Sequence, residues 1–141
     1  MTIHLSDVLL RDIHTHAERD YPHECCGVMV GSAKGDEKTV LSLVQATNVH
    51  EDGHERRYLI SPNQLLEIDI SARSKGETIV GIYHSHPNHP AIPSGYDQDW
   101  AWPWYSYIIV SVMDGKTANT TSWVLQDDRS KFDAEEIKIQ A

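Results

Sequence analysis

Two histidines separated by one residue, His84 and His86, are followed by Pro87 and then by Ser94 and Asp97. Read as H-x-H-x7-S-x2-D, this segment offers two imidazoles and one carboxylate to a single metal ion, with a hydroxyl close by. Three protein ligands with a fourth position left to water is the layout of a catalytic zinc site, whereas a structural site fills all four positions with protein. Each half of the pattern has an ordinary explanation. Ser-x-x-Asp is a helix N-cap arrangement, and His-x-His can be a strand with a polar face. The combination at this spacing is what points to a metal.

The elements that position these groups can be read outward from them. Thr78-Ile79-Val80-Gly81-Ile82-Tyr83 is apolar and rich in β-branched residues, and it leads directly into His84. That is a buried-strand signal. Residues i and i+2 of a strand share a face, so His84 and His86 project together and Ser85 points away. Pro87 holds His86 in extended backbone. Pro87, Asn88, Pro90 and Pro93 make a turn-rich loop. Ser94 to Asp97 then reads as the first turn of a helix, where residues three apart are neighbours. A strand tip and a helix start joined by such a loop can bring all four groups to one point.

A rival zinc signal is rejected. His50-Glu51-Asp52-Gly53-His54 matches H-E-x-x-H, which works only on a helix. Asp52-Gly53 is a turn dipeptide and the flanks carry no apolar stripe, so an exposed loop is expected. Cys25 and Cys26 are adjacent and face opposite sides of a strand, which excludes a shared metal and strains a disulfide. They read as packed, free thiols, and free thiols beside a zinc site suit a reducing cytoplasm.

His84-Ser85-His86-Pro87 with Ser94 and Asp97 resembles the JAMM motif of the MPN+ zinc metallopeptidases, in particular a small stand-alone bacterial branch. Tyr21-Pro22-His23-Glu24-Cys25-Cys26-Gly27-Val28-Met29-Val30-Gly31 resembles the early strand on which that family carries a glutamate. Tyr83, and Trp102 to Ser111, extend the similarity over most of the chain. The resemblance implies that His84, His86 and Asp97 bind one Zn²⁺. It implies that Glu24 holds the metal-bound water as general base and then acid, and that Ser94 donates to the developing oxyanion. It also implies an α/β fold, a three-layer α/β/α sandwich with a mixed central sheet like that of cytidine deaminases. The implied activity is hydrolysis of an amide or isopeptide bond after the Gly-Gly tail of a ubiquitin-like or sulfur-carrier protein. An extended tail of this kind could lie against a sheet edge by strand addition. Two other classes stand beside this one: a non-catalytic MPN-type scaffold that binds a partner protein, and a zinc hydrolase of a small-molecule amide.

Composition agrees with a single domain spanning residues 1–141, long enough to bury a core. With 21 acidic and 12 basic residues the net charge is −9, which argues against nucleic acid and anionic membrane as partners. There is no apolar run of about 20 residues to span a bilayer, and acidic and basic residues interrupt the N-terminal apolar positions, unlike a signal peptide. Along the chain, helical spacing is expected over Leu5, Val8, Leu9, Ile13 and His16 with Ser6 or Asp7 as cap, and from Pro62 toward Arg73 after Ser61. Strands are expected at Cys26–Gly31, Thr39–Ala46, Tyr58–Ile60, the stretch into His84, Tyr107–Met113, Ser122–Leu125 and Phe132–Ile139. The aromatic cluster Trp100, Trp102, Trp104, Tyr105 and Tyr107 is expected to close the core. The other reading is a peptide groove or a homodimer contact.

Overall fold

Three serines start the three helices among the described residues. The Ser6 hydroxyl accepts from the Leu9 N–H, Ser61 from Gln64 and Ser94 from Asp97. Each satisfies one of the amides that the first helical turn leaves unpaired. The helices are α1 (Asp7–Asp20), α2 (Pro62–Ser74) and α3 (Gly95–Trp100). The computed structural model describes residues 1–50 and 57–141. The rest of the described chain is dominated by strands: β1 (Thr2–Ser6), β2 (Cys26–Lys34), β3 (Glu37–Ala46), β4 (Thr78–Pro87), β5 (Ser106–Met113), β6 (Lys116–Leu125) and β7 (Phe132–Gln140). Gly35 and the pair Asp114-Gly115, all at positive φ, turn the chain between β2 and β3 and between β5 and β6.

These strands close into one barrel in the order β1-β3-β2-β4-β5-β6-β7. The α/β/α sandwich that the resemblance implies is therefore corrected: this is a mostly β architecture with few helices. The physical reason lies in the first residues. Leu5 fits the helical spacing of Leu9, so the sequence reading merges it into the helix. In the structure Ile3 and Leu5 belong to β1 and have no exposed surface. β1 pairs parallel with β3 through Thr2–His4 and with β7 through Thr2–Ser6. Without that strand the sheet stays open; with it, the two ends meet. Burying each of those two side chains is worth roughly 1.5–3 kcal/mol, which anchors so short a strand. Closure gives each of the seven strands a neighbour on both sides, so no strand serves as a wholly free edge.

One apolar cluster joins Ile3, Leu5, Met29, Val40, Val80, Tyr83 and Ile108 to Ile13 and Ala17 of α1. A second joins Val28, Val30, Ile79 and Ile82 to Ile68 and Ala72 of α2. β4 therefore feeds both. The register with β2 runs Met29 to Gly81 and then Val30 to Ile79, so Val80 is an extra, unpaired residue. Such a bulge shifts the alternation by one. It puts Ile79 on the same side as Ile82, and hence as His84 and His86.

Two smaller expectations also change. Tyr58-Leu59-Ile60 is not a strand; among the described residues its one ladder-like bond is Val49 N–H to the Leu59 carbonyl at 2.9 Å. The tryptophans do not close the core: Trp100, Trp102 and Trp104 are 58%, 64% and 45% exposed, and only Tyr107 of that cluster is buried. Trp102 and Trp104 instead flank an open groove of about 590 Å³ whose other wall is Leu65, Leu66 and Arg73 of α2. No helix among the described residues is long and apolar enough to cross a membrane.

Candidate metal centre

β4 projects His84 and His86 to one side and Ser85 to the other. The Ser85 hydroxyl accepts from the Cys25 N–H at 2.8 Å, and the Ser85 N–H donates to the Cys25 carbonyl at 3.2 Å. With Cys26 facing His84 in the ladder, these bonds fix the residue before Cys25 beside the histidines. That residue is Glu24, 4% exposed. One ligand atom from each of Glu24, His84 and His86 lies within 4.8 Å of the others.

α3 brings the fourth group. Its capping box holds Asp97 at both ends: the Asp97 N–H donates to the Ser94 hydroxyl at 3.0 Å, and the Ser94 N–H donates to Asp97 Oδ2 at 2.9 Å. The carboxylate faces both imidazoles, with Oδ1 3.3 Å from His84 Nε2 and Oδ2 3.1 Å from His86 Nε2. The two Nε2 atoms are 3.1 Å apart. Ligand atoms around a tetrahedral zinc with bonds of about 2.0–2.1 Å lie about 3.3 Å from one another; the two Nε2 atoms, and each Nε2 with its nearer Asp97 oxygen, come close to that spacing. His86 also has the right proton arrangement. Its Nδ1 lies 2.8 Å from the Pro90 carbonyl; a carbonyl only accepts, so Nδ1 carries the proton and Nε2 presents a lone pair. Lone pairs and a carboxylate turned toward one another need a cation or a proton among them. Two imidazoles and a carboxylate suit zinc by donor type as well.

The electrostatics follow from burial and from this clustering. Burial lowers the affinity of His84 for a proton, and Asp97 only partly opposes it. For His86 burial is outweighed by the Asp97 carboxylate and the Pro90 carbonyl, so its pKa is raised. Burial works to raise Asp97, but His84, His86 and the Ser94 N–H hold it well below the usual carboxylate range. Glu24 behaves differently. Burial pushes its carboxyl up to about 8, with His86 opposing and Asp97 adding to the rise. Two carboxyls beside the same pair of histidines thus have opposite proton preferences.

Glu24 stands where two grooves meet. One, of about 310 Å³, is lined by His86, His89, Pro90, Ile92 and Ser94 together with Glu24. The other, of about 700 Å³, is polar and runs past Arg19, Tyr21, His23, Gln45 and Asn48. Ser94 accordingly has both of its sequence readings in one place: it caps α3, and it lines a groove beside Glu24.

The structure thus brings together all five residues singled out from the sequence: Glu24, His84, His86, Ser94 and Asp97. Cys25 and Cys26 are buried free thiols, and burial pushes both up to about 12, which leaves no thiolate at neutral pH. The H-E-x-x-H loop lies largely outside the described residues; His50 is described, and its ring packs edge-on against Tyr96. Sequence reasoning missed Asn48 and Tyr58, which flank the site. Tyr58 stacks on His84 with ring centroids 4.4 Å apart. Its place in an apolar triplet suggests a strand, and a lone Asn after a strand carries no local pattern at all.

Residues 6–126 match the family described as prokaryotic homologs of the JAB domain. The chain is 34% identical over 114 residues to the desampylase of Haloferax volcanii, an alignment covering 80% of each chain. It is 29% identical over 120 residues to the CysO-cysteine peptidase of Mycobacterium tuberculosis, covering 84% of this chain and 80% of that one. Among solved structures, protein DSY2949 from Desulfitobacterium hafniense superposes with a TM-score of 0.84 at 29% identity, covering 98% of this chain and 92% of that chain. With its residues 6–126 matched, this chain belongs to the prokaryotic homologs of the JAB domain.

Proposed function

We propose that this protein is a zinc-dependent peptidase that hydrolyses the amide bond between the C-terminal tail of a ubiquitin-like or sulfur-carrier protein and its adduct. One observation carries the reading: a raised-pKa glutamate and a His-His-Asp donor set converge where two grooves meet. A scissile amide placed there has room for the carrier tail on one side and the leaving group on the other. Relatives named as a desampylase and a CysO-cysteine peptidase support the substrate class.

His84, His86 and Asp97 would hold the zinc ion. When bound, zinc lowers the pKa of water to about 7 and polarises a carbonyl. Glu24 takes a proton from the attacking water as its oxygen adds to the carbonyl carbon. It returns that proton to the departing nitrogen as the C–N bond breaks, a two-way transfer that suits a carboxyl held beside the metal-facing histidines. Ser94 accepts from the Asp97 N–H, which leaves its own O–H able to donate to the tetrahedral oxygen. A Gly-Gly tail suits the groove of about 310 Å³ beside Glu24 because glycine lets backbone approach closely.

The test uses purified protein and a carrier whose Gly-Gly tail bears a C-terminal adduct. Wild type is expected to hold one zinc and release the adduct. Asp97→Ala should lose the zinc, and Glu24→Gln should keep it yet cleave at least about a hundredfold more slowly. Full zinc in Asp97→Ala would show that Asp97 is not a ligand, and equal cleavage by Glu24→Gln would show that Glu24 moves no proton in the reaction.

A further inference from the structure

The two metal-facing histidines are supported in different ways. His86 has the usual arrangement, with its second ring nitrogen on a carbonyl. His84 Nδ1 is buried and has no hydrogen-bond partner among the described residues. A ligating imidazole normally depends on such a bond to fix its rotation and tautomer. What His84 has is a ring face: Tyr58 lies nearly parallel to it, 4.4 Å between centroids and 24° between planes.

Tyr58 sits outside any ladder, so something else must hold it. Asn48 does, with every hydrogen bond that a side-chain amide can make. Its Nδ2 donates to the Arg57 carbonyl at 2.9 Å and to the Glu24 carbonyl at 3.2 Å. Its Oδ1 accepts from the Leu59 and His50 N–H groups, both at 3.1 Å. The Val49 N–H reaches the Leu59 carbonyl, and the Tyr96 hydroxyl donates to the Tyr58 carbonyl at 3.2 Å. The segment on either side of Tyr58 is thus clamped, and the same amide holds the peptide of Glu24. Turning the Asn48 amide over would set two donors against N–H groups and an acceptor against carbonyls, so its orientation is fixed.

We propose that Asn48 and Tyr58 are the positioning residues of the metal centre: Tyr58 orients His84 by stacking where a hydrogen bond is missing, and Asn48 locks Tyr58 and Glu24 into one frame. The proposal rests on the metal reading of the site. It concerns residues to which neither the motif nor the family match assigns a part.

Zinc affinity, measured by competition with a chromogenic chelator, tests it without any substrate. Tyr58→Phe keeps the ring and should bind zinc within about twofold of wild type. Tyr58→Leu keeps apolar volume but loses the flat face, and should bind about 10–100-fold more weakly, the usual effect of removing a group that orients a ligand. Asn48→Asp keeps the acceptor and removes both donors; it should weaken zinc about tenfold. Combined with Tyr58→Leu it should add little, because both act through the same ring. The visible spectrum of the cobalt-loaded protein should change in Tyr58→Leu and not in Tyr58→Phe. Equal zinc affinity and cobalt spectra in wild type and Tyr58→Leu would overturn the role of Tyr58. Fully multiplicative losses in the double variant would overturn the link through Asn48. A wild type that takes up no zinc would sink the proposed reaction as well, so the two failures are told apart.

Discussion

Ser94 shows why single residues in this site resist a single label. Its hydroxyl accepts from the Asp97 N–H while its own N–H donates to the Asp97 carboxylate, so the cap that starts α3 is also the device that aims a metal-facing group. Ser94→Ala is therefore expected to cost about 1 kcal/mol in urea unfolding as a lost cap. If it also donates to the transition state, adduct release should slow by about 10²–10³-fold. A stability loss with unchanged turnover would reduce Ser94 to a cap. The sequence made this residue visible because its partners lie three positions away. Asn48 stayed hidden because, apart from His50 two positions on, its partners Glu24, Arg57 and Leu59 lie at three separate distances along the chain and leave no spacing to notice.

At the scale of elements, β4 is the part that sequence and structure describe alike. Its apolar run, the alternation through His84 and His86 and the stop at Pro87 all follow from local chemistry, and so do the serine caps and the glycine turns. The strand depends on a close approach to β5 as well. A Cβ at Gly81 would stand 2.0 Å from the Ser106 carbonyl oxygen, which is backbone and cannot swing away. Gly81→Ala is thus expected to destabilise the protein by about 1–3 kcal/mol or more, read as a lower urea midpoint. It should also weaken zinc binding, because the histidine pair lies three and five residues further on. A variant with an unchanged midpoint would mean that β4 and β5 can separate without penalty. Less legible were elements defined by distant partners. β1 is five residues long and borders a helix, and only its pairing with β3 and with β7, both distant along the chain, shows it to be a strand. β6 begins at Lys116, well before the expected Ser122; its first half is polar and never fully buried, which hides it from an apolar strand pattern.

The whole molecule carries a pH dependence that originates away from the metal. His14 and His16 on α1 are both shifted down, in each case by burial first, with Glu18 and Asp20 respectively opposing. His16 is wedged between the Tyr83 hydroxyl at 2.7 Å and Asp20 at 3.3 Å. In the unfolded chain these rings take up protons below about pH 6.5, but the folded state accepts them only at lower pH. At these two rings protons therefore favour unfolding: their contribution to stability is full above about 6.5 and declines as pH falls toward the depressed folded values. Glu24, raised to about 8 by burial, acts with the opposite sign over this range, so the histidine share is read as a difference: between pH 8 and 5.5 the urea midpoint of His14→Gln with His16→Gln should fall less than that of wild type. An equal fall in the double variant would place the effect elsewhere. Closure also ties two fates together. Val80, Tyr83 and Ser85 fill or brace one side of the same strand that aims His84 and His86 at the metal site on the other. Genetic screens for inactive variants should consequently return interior positions of this strand mixed with the ligands themselves, and metal occupancy at low temperature, rather than location in the chain, will sort broken scaffolds from broken chemistry.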